Sequence, residues 1–207
     1  MKVTLLLLFG YLLGSLSPAA LVSKIKRKNL KKSGTGNLGA TNVMLNFGKK
    51  YGALVMLLDI AKAFVTVKLA AFFFPADTII PLLAGTAVVA GHVYPFYMKF
   101  KGGKGLAAFG GLILAYDTTI FLILLVIGLS LMLILNYGVF LPVSAAILFP
   151  ISTGLRYDSL TVALTASIVC IIIIIAHLAN MEAVFNGSAP KIREYIKNSF
   201  TSRSSNS

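Results

Sequence analysis

The sequence predicts an all-α protein that crosses a lipid bilayer about seven times. Hydrophobic residues make up 57% of its 207 residues and charged residues only 12%, with a mean hydropathy of +0.89, a balance foreign to soluble domains. The apolar residues also come in long uninterrupted runs, without the period-two alternation of a membrane β-barrel strand. Finally, 19 Lys and Arg stand against 6 Asp and Glu, a formal net charge of +13. On so apolar a chain that excess implies membrane headgroups or small anionic ligands, and no nucleic acid. A single Cys excludes a disulfide framework, and two His without Cys partners exclude a zinc finger.

A helical span needs about 20 mostly apolar residues, and the candidates follow in order. Val3 to Ser23 is the first. Lys2 before an apolar run could imitate a secretory signal, but eight basic residues follow the run, so it reads as an uncleaved span. Tyr51 to Phe74 is the second and carries Asp59, Lys62 and Lys68. Asp59 and Lys62 are three apart on one helical face and are expected to pair with each other or with a neighbouring helix, because an uncompensated charge in lipid costs several kcal/mol. Thr78 to Met98 is the third, with His92 near its end. Leu106 to Tyr116 is the fourth, too short to cross unaided, and is either extended by its neighbours, re-entrant, or buried among other helices. Thr118 to Leu135, Gly138 to Thr153 and Ser159 to Ala176 complete the set. Residues 1–198 read as one domain, and the Ser/Asn-rich tail 199–207 as disordered.

Basic residues favour the cytoplasmic side. Seven spans with the N-terminus outside place 15 of the 19 basic residues inside, in the loops after the first and third spans and in the tail. Lys2 and Arg156 fall outside, beside Asp77, Asp117 and Asp158. Six spans would put the basic tail outside.

Three polar segments then share the inner face. Ser33 to Gly48, SGTGNLGATNVMLNFG, combines Gly34, Gly36, Gly39 and Gly48 with the short polar side chains of Thr35, Asn37, Thr41 and Asn42, so that successive backbone N–H groups could converge on an anion. Gly34 to Gly39 fits a GxGxxG string, but it follows a basic loop and not a strand, which excludes the dinucleotide reading. A flexible connector is the plain alternative. Gly91 to Gly111, GHVYPFYMKFKGGKGLAAFGG, places Lys101, Gly102, Gly103, Lys104 and Gly105 directly before the short fourth helix, whose N-terminal dipole would face the same anion. It lacks the leading Gly and the Ser or Thr of a nucleotide-hydrolase P-loop. His92, beside this loop, is either a helix-bonding residue or a functional one. Ala176 to Ile192 carries His177 and Asn180 three apart, on one face at the inner end of the seventh span.

Taken together, the GTGNLGATNVMLNFG, LLDIAK, GHVYPFYMKFKGGKG and HLAN segments resemble the bacterial acyl-phosphate:glycerol-3-phosphate acyltransferases over nearly the whole chain, Leu5 to Lys191. The resemblance implies a multi-pass protein of the bacterial cytoplasmic membrane with its site on the cytoplasmic face. It implies acyl phosphate and glycerol 3-phosphate as substrates, membrane lipids and the enzyme that makes acyl phosphate as partners, and neither metal nor cofactor. Thr35, Asn37 and His92 become candidate catalytic residues. Gly36, Gly39, Thr41, Asn42, Lys101, Gly102, Gly103, Lys104, Gly105, His177 and Asn180 become candidate substrate-binding residues. His92 would serve as general base, or it would only position a substrate whose own phosphate takes the proton. Departures from the family pattern fall at Thr35 for Ser, Leu45 for Arg, Ala108 for Thr, Leu178 and Ala183 for Arg, and Ala189 for Glu, and Ser15-Leu16-Ser17-Pro18 is one residue longer than the family's Ser-x-Pro. Two other readings are a non-catalytic member that binds phosphorylated lipid and a transporter of a small phosphorylated solute. The transporter is disfavoured because the polar residues gather on one face and no inverted repeat is visible.

Overall fold

The computed structural model describes residues 1–194, and the tail expected to be disordered lies outside them. Among the described residues every regular element is helical: α1 Lys2–Ser15, α2 Pro18–Ile25, α3 Ala40–Phe47, α4 Lys49–Phe73, α5 Ile79–Val93, α6 Leu106–Tyr116, α7 Thr118–Leu135, α8 Phe140–Tyr157 and α9 Leu160–Phe185. Lys2–Ile25, Ile79–Met98 and helices α7, α8 and α9 are long and apolar enough to cross a membrane. Helix α4 has the length, 25 residues, but carries Asp59, Lys62 and Lys68. Apolar side chains cover the outside of the bundle, as on α7, where Leu122, Ile123, Val126 and Ile134 are all more than half exposed. That is the surface of a multi-pass membrane protein.

The first span is not the continuous helix that its hydropathy suggests. It breaks at Leu16 and Ser17, because Pro18 has no N–H to donate to the carbonyl four residues earlier, that of Gly14. The second half restarts as α2, with Ser17 Oγ accepting from Ala20 N at 3.2 Å as its cap. Three carbonyls are thereby freed inside the bundle, and each finds a side-chain donor. Lys62 Nζ donates to Gly14 O at 2.9 Å and to Leu16 O at 3.0 Å, and Tyr97 OH donates to Ser15 O at 2.8 Å.

Helix α1 lies against α5 at backbone distance. A Cβ on Gly14 would sit 2.1 Å from Val88 O, and one on Gly91 would sit 2.1 Å from Tyr11 O, so this crossing requires small residues. The main core fills the space among α4, α5, α6, α8 and α9, with Val67, Leu82, Leu112, Phe149 and Ile173 fully enclosed. Phe109 of α6 meets Phe149 of α8 edge to face, ring centroids 5.7 Å apart. A smaller core of Ala19, Val22, Leu30, Leu38, Val43 and Val55 fixes α2, the basic turn and α3 onto α4.

Helix α6 matches its expected bounds of Leu106 to Tyr116. At 11 residues it is only about 16 Å long, yet it joins the two ends of the bundle, because its first turn is recessed. Gly105 packs between Val89 and Val93 of α5 and Ile173 of α9, and α9 runs on from Ile173 to Phe185, about 18 Å further. The other end of α6 reaches Asp117, where Arg156 Nε and Tyr157 OH each lie 3.4 Å from Asp117 Oδ2. Helices α8 and α9 also extend past their expected ends at Thr153 and Ala176.

Candidate active site

The three polar segments meet at one end of the bundle. Lys31 Nζ donates to Lys101 O at 3.0 Å, and a Cβ placed on Gly103 would lie 2.7 Å from Leu38 O; both contacts join the first segment to the second. Lys104 Nζ donates to Asn180 Oδ1, joining the second to the third.

The first segment is not an open loop, since residues 40–47 form α3. Asn42 on that helix is 1% exposed and organises the glycine-rich stretch before it. Its Nδ2 donates to the carbonyls of Leu30, Ser33 and Asn37, and its Oδ1 accepts from Thr35 N at 2.9 Å and Asn46 Nδ2 at 3.0 Å. A Cβ on Gly34, whose φ is +57°, would strike Asn42 Oδ1. Asn42 therefore has no group left for a ligand. Thr35, Gly36 and Thr41 are exposed and Asn37 is half-buried. Among the described residues none of the Thr35, Asn37 or Thr41 side chains is hydrogen-bonded to the other two segments. Gly39 is the N-cap position of α3.

The second segment folds back on α5. Gly102 N donates to Val93 O at 2.9 Å and Gly103 N to His92 O at 3.1 Å, so these two amides close the turn and do not face an anion. Gly105, at φ +82°, then swings the chain into α6. The amides of that helix's first turn have no acceptor within the helix, and they sit directly after the Lys104 ammonium. The free amide donors thus lie a few residues beyond the glycines the sequence emphasises. Burial lowers the pKa of Lys104, in the connector before α6, below the usual lysine value.

His92 is held from both sides. Its Nδ1 lies 3.0 Å from Lys62 Nζ and 3.2 Å from Asp59 Oδ1, and Asp59 Oδ1 is itself 2.8 Å from Lys62 Nζ. The expected pair is therefore a buried triad, in which an ammonium that already serves two carbonyls turns its remaining donor to the imidazole. The opposite edge of the ring covers the loop, where a Cβ on Gly103 would lie 2.3 Å from Nε2. Only glycine fits that position.

On α9, His177 Nδ1 is 2.8 Å from Ile173 O. A carbonyl only accepts, so Nδ1 carries the proton and Nε2 is free to accept one. Asn180, three residues on, shares the His177 face and is half-buried. The contacts of Lys31, of the Leu38 carbonyl and of the Tyr97 hydroxyl follow from no spacing in the sequence, and only their neighbourhood in space reveals them.

The chain matches the family described as glycerol-3-phosphate acyltransferase over residues 4–187. It is 36% identical over 194 residues to a glycerol-3-phosphate acyltransferase of Macrococcus caseolyticus, covering 93% of this chain and 98% of that one. It is 35% identical over 190 residues to that of Aquifex aeolicus, covering 90% and 97%. Its fold superposes on crystal structures of PlsY, an integral membrane glycerol 3-phosphate acyltransferase. The glycerol 3-phosphate form gives a TM-score of 0.86 at 32% identity, covering 93% of this chain and 96% of that one. The lysophosphatidic acid form gives 0.84 at 31%, covering 92% and 95%.

Proposed function

Since the chain belongs to the glycerol-3-phosphate acyltransferase family, we propose that it transfers an acyl group from acyl phosphate to glycerol 3-phosphate, giving lysophosphatidic acid and inorganic phosphate. The observation that carries this reading is the contact of Lys104, two residues before the α6 N-terminus, with Asn180 of α9. A cation, an oriented amide and unpaired backbone donors suit phosphate and a developing oxyanion.

Acyl phosphate is a mixed anhydride. The glycerol 3-phosphate hydroxyl attacks its carbonyl carbon, the carbonyl C–O bond to phosphate breaks, and phosphate leaves with the hydroxyl proton. No covalent enzyme intermediate is needed, so the site's work is alignment and charge stabilisation. Lys104 and the α6 amides hold the donor phosphate. His177 and Asn180, with Thr35, Asn37 and Thr41 on the facing loop, hold glycerol 3-phosphate, while Asn42 and Gly39 keep that loop in shape. His92 acts as a positioning residue, because its Nδ1 is tied to Lys62 and its Nε2 edge is covered by Gly103. Gly36, Gly102, Gly103 and Gly105 shape the walls, and the Lys101 carbonyl anchors Lys31.

The site faces the cytoplasm of a bacterial cell, with the N-terminus outside and α4 and α6 completing seven membrane helices. Support comes from charge: the turn after α2, the loop before α6 and residues 191–194 carry Lys and Arg at the site's end, whereas Asp117 and Arg156 pair at the other. The chemistry is tested with purified protein and labelled glycerol 3-phosphate. Acyl phosphate should yield lysophosphatidic acid where acyl thioesters do not. Equal use of a thioester would overturn the donor assignment.

A further inference from the structure

A second basic site lies beside the one described. A cavity of about 410 Å³ opens between the end of α2 and the turn after the third membrane span, lined by Lys24, Arg27, Lys28, Lys31, Leu38 and Met98 among others, with no acidic residue. Its volume falls in the range of about 300–1,000 Å³ usual for small-ligand sites. Its lining residues hold no substrate in the transfer chemistry above, although Lys31 and Leu38 also brace the Gly103 loop.

The turn that supplies these cations is built and not loose. Ser23 Oγ donates to Lys28 O at 2.6 Å, Lys28 N donates to Ser23 O at 3.2 Å, and Asn29 Oδ1 accepts from Lys31 N at 3.0 Å. Arg27 takes the left-handed conformation, φ +51°, at the position just past a helix end that glycine or asparagine ordinarily fills. A strained residue with a guanidinium in place of glycine is a feature of binding sites more than of connectors.

We propose that this cavity binds the headgroup of an anionic phospholipid from the surrounding bilayer. Four cations without a carboxylate select a phosphate and repel the ammonium of a zwitterionic lipid. Beside Ser23 and Asn29 the lining has an apolar part, Ala20, Leu38 and Met98, and Leu21 and Ile25 stand 60% and 68% exposed along α2. A free phosphate has no use for that surface, whereas acyl chains would lie along it. Leu38 also touches the Gly103 loop through its carbonyl, so an occupied cavity braces the wall of the transfer site.

The test is thermal melting of the purified full-length protein in neutral detergent, titrated with dihexanoyl phosphatidylglycerol, dihexanoyl phosphatidylcholine or inorganic phosphate. This readout is binding, so it stands apart from the acyl donor assigned above. The anionic lipid alone should raise the melting temperature. Combining Lys24→Gln, Arg27→Gln and Lys28→Gln should raise the half-saturating lipid concentration by about tenfold or more. A control with Lys49→Gln, Lys50→Gln and Lys191→Gln should stay within about twofold of the parent. Equal losses in the two variants would replace the site with diffuse surface charge, and a shift reproduced by phosphate would replace the lipid with a free anion. The absence of any shift would overturn the proposal. Should the triple variant fail to fold, Arg27→Gln alone must weaken the lipid response while leaving the lipid-free melting temperature unchanged, and an undiminished response would overturn the proposal equally.

Discussion

Replacing Lys62 by methionine should unsettle both the bundle and its chemistry. The ammonium donates to Gly14 O, Leu16 O and His92 Nδ1 at 2.9–3.0 Å and lies 2.8 Å from Asp59 Oδ1 as its counter-charge. Its removal leaves Asp59, 1% exposed, without its cation. Breaking a buried ion pair costs about 3–5 kcal/mol, and each orphaned carbonyl costs about 1–3 kcal/mol where it stays buried. The terms overlap, so about 4–6 kcal/mol is expected for Lys62→Met, against about 5–15 kcal/mol for a whole fold. Adding Asp59→Asn removes the stranded charge and should recover about 3 kcal/mol. It should not recover turnover, because His92 still lacks its Nδ1 partner and the Gly103 loop its support. The assay is unfolding in mixed micelles by titration with denaturing detergent, with kcat and KM measured on each folded variant. A Lys62→Met protein within about 1 kcal/mol of the parent would refute the reasoning. So would a double variant no more stable than the single one.

Three more outcomes are expected. Because burial lowers the Lys104 pKa, the charged form is lost as pH rises through a value below the usual lysine pKa of about 10.4; kcat/KM should fall on an alkaline limb with that midpoint, and Lys104→Arg should move the limb upward. Leu45 stands 39% exposed, so Leu45→Arg should fold with its guanidinium solvated. If residue 45 lies at the glycerol 3-phosphate site, that variant should lower the KM for glycerol 3-phosphate by roughly ten- to a hundredfold, the worth of a charge-assisted contact of about 1.5–3 kcal/mol. An unchanged KM would remove residue 45 from the phosphate. With the one cysteine of the described residues, Cys170, buried, Lys32→Cys in oriented vesicles should label only from the cytoplasmic side and Ala76→Cys only from outside. The reverse pattern would invert the topology.

Much of the fold was legible because hydropathy is a strong signal in lipid. Helices α6 and α7 match their expected bounds to the residue, since Gly105 and Asp117 mark their starts. The break at Pro18 is masked by the apolar length of the run, and with it the carbonyls that Lys62 serves. Helix α3 is hidden in the sequence because four glycines and short polar residues dominate the segment, although Asn42 and Asn46 are spaced one turn apart. Hydropathy ends the seventh span at Ala176 and the His177–Asn180 spacing carries the helix one turn on, but Leu, Ala, Met and Glu continue it to Phe185. Among the candidate residues, Lys104, His177 and Asn180 are legible by spacing and chemistry. The pairing of Lys104 with Asn180 was not, being a contact across 76 positions, and neither was the use of the Gly102 and Gly103 amides in closing the turn.

The central claim is that Lys104, placed at the recessed start of α6, grips a substrate phosphate for acyl transfer. Its most direct test is the formation of lysophosphatidic acid from acyl phosphate and labelled glycerol 3-phosphate by the parent, by Lys104→Ala and by Lys49→Ala, each confirmed as folded by its melting curve. The parent and Lys49→Ala should turn over alike, and Lys104→Ala should lose at least about a hundredfold in kcat/KM, the scale of a lost transition-state contact. Equal activity of all three proteins, or equal loss in the two variants, would contradict the claim.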